Sequence, residues 1–250
     1  MPSRGCRSLR PQMRKSREFE LECKSTQFSF LHDNMSESEV IDVCGEVDLR
    51  LSISVARPPA SKSASNAWLF AYEIWGGSKH LATMLAERPW ICKGKSVLEV
   101  GCAAALPAVV AAGLGAKVVV ASDTPADLGI LDNARQNFER NNLEKAAVVL
   151  PHKWGEDASA LTDRSVDKQG FDLVIASECI WLEAEHSNLL DTICATLRKP
   201  DDKTTTQVKA AACSAAGGDG FARLEGGRLS CAILTFCHHD GPGSGMLLFL

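Results

Sequence analysis

The chain lacks a long apolar run. Its longest, Ala103 to Leu114, falls well short of the roughly 20 residues that a membrane-crossing helix needs. It reads as a buried helix, and no membrane partner is expected. A strong excess of charge is also missing. The formal net charge is −4, so nothing global draws the chain to nucleic acid or to an acidic membrane surface. Cysteine is plentiful but unpaired in pattern: the ten cysteines are scattered and form no C-x-x-C. With no secretory signal, that favours reduced thiols in an intracellular, cytoplasmic protein. Cys231 and Cys237 beside His238 and His239 match no standard zinc spacing, so no metal site is expected. The first seventeen residues lack any acid while carrying Arg4, Arg7, Arg10, Arg14, Lys15 and Arg17. They read as an organelle transit peptide or as a tail, and an amphipathic period is not evident.

What is present is ordinary for a globular domain: 250 residues, 45% hydrophobic and 23% charged. One domain with extra segments is expected. Residues 1–45 are polar without a sustained period and are assigned no fold, leaving residues 46–250 as the domain. "VDLRLSISVA", Val47 to Ala56, alternates apolar and polar residues as a half-exposed strand does. Apolar spacing turns helical from Trp68 to Leu85, interrupted by Gly76 and Gly77. A regular alternation follows. "SVLEVG" predicts a first strand, Pro107 to Leu114 a helix, "KVVVASD" a second strand, and Ala126 to Asn141 a helix. "AAVVLPHKW" is a third strand, "FDLVIASE" a fourth, His186 to Leu197 a helix, and "RLSCAILTFCHH" a fifth strand. Residues 203–227, rich in Ala, Gly and Thr, read as an inserted low-complexity loop. β-Branched apolar strands alternating with helices predict an α/β fold: a mostly parallel sheet with helices on both faces.

In such sheets a ligand sits at the carboxyl ends of the strands. Four features would meet there: Glu99 to Gly101 after the first strand, Asp123 after the second, Trp154 after the third, and Ser177 with Glu178 after the fourth. The first, "LEVGCAAALP", has the layout of a G-x-G-x-x-G loop but keeps only Gly101. Alanine stands at 103 and 105, where methyl groups obstruct a pyrophosphate approaching the backbone. S-adenosylmethionine carries no phosphate and needs no such cradle, so the loop favours it over NAD. An acid about twenty residues on, Asp123, suits ribose hydroxyls. Plainer readings stand beside these: Asp123 as the cap of the next helix, Trp154 as core, and Glu178 as a solvated strand-end charge.

The pieces "EIWGGSKHLATML", "GKSVLEVGCAAALPAVVAAGLGAKVVVASDTPADL", "PHKWGED", "FDLVIASECIWLEAEHSNLL" and "LTFCHH" together resemble the seven-β-strand, Rossmann-like class I methyltransferases. They are most similar to the lysine-methyltransferase, nicotinamide N-methyltransferase-like branch, and within it to fungal methyltransferases of elongation factor 1-alpha. The resemblance covers about Trp68 to His239. It implies S-adenosylmethionine as cofactor, with Trp75 bordering it, Glu99 among the residues that bind it, Gly101, Cys102 and Ala103 around its methionine part, Asp123 on the ribose, and Trp154 and Ser177 beside the adenine. It implies Glu178 and Trp181 as the acid and aromatic that face the incoming amine. The implied acceptor is a protein lysine or N-terminal amine, a translation factor among the candidates, and the implied state is a monomer. The fold of that family normally closes with a helix and a two-strand hairpin. Here only eleven residues follow His239, so the hairpin is expected to be missing and the fifth strand to keep an exposed edge. Two other readings remain: an inactive relative that keeps only the binding shell, and a small-molecule N-methyltransferase.

Overall fold

A hairpin precedes the alternating strands and helices: β1 (Ser38–Val43) pairs antiparallel with β2 (Leu49–Ser54). The structure, a computed structural model, describes residues 38–56, 71, 73–199, 230–237 and 244–249. β2 agrees with the expected strand. β1 corrects the expectation that residues 1–45 carry no fold. Its segment, "SEVIDV", is too short and acidic to show a period, and its stability comes from pairing with β2 and from burying Ile41 and Val43. The basic N-terminal stretch and the insertion at 203–227 lie outside the described residues.

The apolar runs become the sheet. β3 (Ser96–Val100), β4 (Val118–Asp123), β5 (Ala147–Pro151), β6 (Leu173–Ser177) and β7 (Cys231–Cys237) run parallel in the order β5-β4-β3-β6-β7. Every residue of β3 and β6 is buried. Such strands lose water on both faces, which explains their near-continuous apolar sequences. One face packs on α1 (Gly76–Glu87), α2 (Leu106–Gly113) and α3 (Leu128–Arg140) through Val97, Val119, Leu173 and Ile233. The other packs Leu98, Val120, Val174 and Leu234 on the short α4 (Ser159–Thr162) and on α5 (His186–Thr196). Each large aliphatic side chain so buried stabilises the fold by about 1.5–3 kcal/mol.

Local signals set the helix ends. Gly115, at φ +86°, lets its own N–H donate to Ala112 O and that of Ala116 to Ala111 O, closing α2 with two reversed bonds. Asp127 caps α3 by accepting from Gly129 N–H at 2.9 Å. Gly76 and Gly77 do not interrupt a helix; they begin α1, with Trp75 as its N-cap.

The far edge departs from expectation. A last strand, β8 (Ser244–Phe249), pairs antiparallel with β7, Thr235 facing Met246 and Cys237 facing Ser244. The fifth parallel strand therefore has no bare edge on that side. The eleven residues after His239 suffice for one return strand because the connection from β7 spans only 238–243. The chain runs outward through β3, β4 and β5, then returns to place β6 on the other side of β3. That reversal puts the ends of β3, β4 and β6 around one crevice.

Candidate active site

At the end of β3 the backbone turns three times into the left-handed region: Gly101 at φ 65°, Ala103 at 45° and Ala105 at 58°. The loop thus keeps the path that a glycine-rich sequence would follow, with alanine at two of the strained positions, at roughly 1–2 kcal/mol each. Its groups are tied down. Cys102 N–H donates to Ser122 O at 3.0 Å, and Ala103 N–H to Asp123 Oδ2 at 2.8 Å. Ala104 O accepts from Asn137 Nδ2 at 2.9 Å. Asp123 closes the bracket by accepting from Thr124 N–H on Oδ1 at 2.7 Å. It is therefore not the cap of α3, a role that Asp127 fills. Burial pushes the Asp123 carboxyl above its ordinary value, against the N–H donors of Ala103 and Thr124.

Glu99 lies beneath this loop, fully buried, and lines no open surface of the crevice. Its Oε2 accepts from Ala108 N–H in the first turn of α2 at 2.9 Å, and its Oε1 from the Ser177 hydroxyl at 3.3 Å. The positive end of α2 is thereby occupied from within by a carboxyl group, and Pro107 there has no N–H to offer. This is the physical reason the loop is a poor pyrophosphate cradle. Burial pushes Glu99 up to about 8, while Ala108 N–H and Ser177 pull it down.

The other residues singled out in the sequence meet across a cleft of about 400 Å³, within the size range of small-molecule sites. Trp75, Gly101, Cys102, Ala103, Asp123, Trp154, Ser177, Glu178 and Trp181 all line it. Gly101 has no room for a side chain: a Cβ there would lie 2.7 Å from Cys179 Sγ and 2.9 Å from Trp154 Cζ2. Trp154 is both wall and core, packing on the cluster around Leu98 and Cys179. Glu178 is not a solvated end charge, because its Oε1 accepts from Gly77 N–H at 2.7 Å. Ser177 Oγ pairs with Ser78 Oγ at 2.8 Å, linking the floor of the cleft to α1. Burial raises the thiols of Cys102 and Cys179 well above their ordinary values, so neither is a thiolate nucleophile near neutral pH.

Over residues 65–212, more than half of the chain, the sequence matches the family model described as lysine methyltransferase. The chain belongs to this family. Among its relatives is the "Protein N-terminal and lysine N-methyltransferase EFM7" of Cryptococcus neoformans var. neoformans serotype D, 33% identical over 52% of this chain and 44% of that protein. The protein of the same name from Neurospora crassa is 35% identical over 52% of this chain and 50% of its own. The chain thus spans about half the length of the curated relatives it matches. Among solved structures, a SAM-dependent methyltransferase from Aquifex aeolicus overlaps 61% of this chain and 63% of its own, at 13% identity and TM-score 0.39.

Sequence reasoning missed several residues of this cleft. Ser78, His152, Lys153, Cys179 and Glu185 also line the cleft. Ser78 was within reach of inference, standing three residues after Trp75 in the first turn of α1. His152 follows β5 directly, and burial lowers it from the ordinary histidine value, favouring the neutral ring. The cleft as a whole joins a carboxylate at a strand end, a loop without a phosphate cradle, three indoles and further carboxylates, Glu178 and Glu185 among them. Such a set can hold a phosphate-free nucleoside and receive a cationic amine.

Proposed function

We propose that this chain is an S-adenosylmethionine-dependent methyltransferase acting on a lysine side chain or N-terminal amine of a protein. The observation that carries the reading is that Asp123 and Glu178 line one cleft, at the ends of β4 and β6 on either side of β3. The family match and the names of the relatives support the chemistry and the acceptor class.

The residues fit the cofactor. The end of α2 is already filled by Glu99, and Ala103 N–H is already given to Asp123. A ligand with phosphates finds little to hold it, whereas one with only a ribose, a base and an amino-acid tail loses nothing. Asp123 Oδ1 and Oδ2 each accept one backbone N–H, and a carboxylate oxygen has a second acceptor site for a ribose hydroxyl. Trp154, pressed on Gly101, and Ser177 would border the adenosyl part, with Trp75 across the cleft and Cys102 and Ala103 toward the amino-acid tail.

When bound, S-adenosylmethionine supplies a methyl group activated by its sulfonium. The chain's own residues then have to align an amine and keep water away. Trp181 offers a ring face to the cationic amine, worth about 0.5–2 kcal/mol. Glu178 accepts from it and sets its direction. A carboxylate beside an ammonium raises the pKa of that amine, so Glu178 positions the nucleophile, and the proton leaves with the help of desolvation to water. A translation factor as the acceptor and a monomeric state belong to the same proposal, supported by the likeness of the strand-end motifs. A cytoplasmic setting is proposed on the scattered cysteines without a C-x-x-C pair; among the described residues, Cys44, Cys92, Cys102, Cys179, Cys194 and Cys231 are free.

Titration calorimetry with S-adenosylmethionine tests the roles. Asp123→Ala is expected to abolish binding, and Glu178→Ala to keep affinity while losing turnover. Unchanged affinity in the Asp123 variant would refute the ribose assignment. Labelled cofactor with a proteome lacking the enzyme should mark one protein band on lysine or the N-terminus. Cofactor binding without any labelled band would favour an inactive relative.

A further inference from the structure

Gly77 stands where helix preference argues against glycine. It is the second residue of α1, and its φ is not in the left-handed region that calls for glycine. Alanine would serve a helix better. The reason for glycine lies one hundred and one residues away. The Gly77 N–H donates to Glu178 Oε1 at 2.7 Å. The Gly77 carbonyl accepts from the buried Thr235 hydroxyl at 3.1 Å. The Thr235 carbonyl in turn accepts from the Glu178 N–H at 2.7 Å. Three residues from α1, β7 and the end of β6 thus close a ring of hydrogen bonds. A Cβ on Gly77 would fall 2.5 Å from Glu178 Oε1, 3.0 Å from its Cδ and 3.3 Å from its Cγ. The carboxylate itself fills the space that a side chain at 77 would take. The backbone of Glu178 is also held at φ 55°, left-handed for a residue with a side chain. Such a conformation persists where its surroundings over-determine it.

We propose that Gly77 and Thr235 are positioning residues for Glu178, and that glycine is required at 77 so that this carboxylate can lie against the start of α1 and face the cleft. The inference rests on the methyltransferase reading and adds to it the groups that aim Glu178. It assigns them no contact with substrate. Their loss is felt in transfer and not in cofactor binding, because the contacts of Asp123 and the loop at 101–105 are made elsewhere.

The test has two arms on the full chain. In thermal unfolding, Gly77→Ala should lower Tm in the wild-type background. In the Glu178→Ala background, where its space is free, it should raise Tm by about 1–3 °C through helix preference. In transfer of labelled methyl to a proteome lacking the enzyme, Gly77→Ala should cut the rate at saturating cofactor by about 10-fold or more. Its cofactor Kd should stay within about twofold, as expected for an interaction outside ground-state binding. Gly77→Ala/Glu178→Asp, with a shorter acid, should be faster than Gly77→Ala alone. Thr235→Val should lose rate in the same direction, to a lesser extent. An equal Tm effect of Gly77→Ala in both backgrounds, or an unaltered transfer rate, overturns the proposal while leaving the methyltransferase reading intact. A wild-type chain that binds cofactor and labels nothing overturns that reading, and this one with it.

Discussion

The two alanines that replace glycine differ in consequence, because one is partly exposed and the other fully buried. Ala103 lines the cleft at φ 45°, whereas Ala105 is entirely buried at φ 58°. Ala103→Gly should relieve the left-handed strain with little lost packing, for a net gain of about 0.5–1 kcal/mol after the entropy glycine adds to the unfolded chain. Ala105→Gly should gain nothing, since the buried methyl it removes contributes about 0.8 kcal/mol. Chemical denaturation of both variants checks the contrast. The second residue-scale expectation concerns Glu99. Its folded value of about 8 stands above the ordinary 4.5, so between those values the folded protein holds a proton that the unfolded chain has released. Stability from this group is full below pH 4.5 and is lost as pH rises through about 8, on the order of a few kcal/mol. Glu99→Gln should flatten the fall of Tm between pH 5 and 8.5, and a parallel fall in both proteins would contradict it. These residues also mark where sequence reading stopped. The place of Asp123 in the cleft followed from its spacing after Gly101, a local relation. The contact of Glu178 with Gly77 joins residues 101 apart in the sequence, and no periodicity carries it.

At the scale of elements, the parallel strands were legible because burial on both faces leaves "SVLEV" and "LVIAS" nothing polar to interrupt them but Glu99 and one terminal serine each. The hairpin was only half legible. β2 alternates, but β1 gains its order from a partner, and its docking depends on an asparagine ladder along α3. Asn137 Oδ1 accepts from Ser54 N–H at 2.9 Å, while its Nδ2 donates to Ser54 O at 2.8 Å and to Ala104 O at 2.9 Å. Asn141 repeats the pattern on Ser52, with both bonds at 2.9 Å. Asparagines spaced four apart on an exposed-looking helix give no sign that they imitate a neighbouring strand. Asn137 therefore joins the hairpin to the loop at 101–105 through one amide. Asn137→Ala should cost about 2–4 kcal/mol by leaving buried backbone groups unsatisfied. It should also weaken cofactor binding, through Ala104. Thermal unfolding with and without S-adenosylmethionine reads both, and undiminished affinity would separate the loop from the hairpin.

For the whole molecule, the expected bare edge is covered by β8. That strand was hard to foresee because a single short return strand is enough to pair β7 and no hairpin signal is needed. Its register from Ala232 with Phe249 to Cys237 with Ser244 spends the backbone groups of β7 inside the molecule. Deleting residues 244–250 should leave those groups open and promote association through the sheet edge. Light scattering should then show species larger than a monomer, and a monodisperse truncated protein would show that β8 has no such part.

Three of the chain's five tryptophans, Trp75, Trp154 and Trp181, line the same cleft. The intrinsic ultraviolet emission of this protein is therefore weighted toward one small region, and one of those emitters rests directly on the glycine that follows β3. Any nucleoside or amine that enters there changes the polarity and quenching around most of the described fluorophores at once. The molecule carries its own optical probe for occupancy, ready for stopped-flow work without a label.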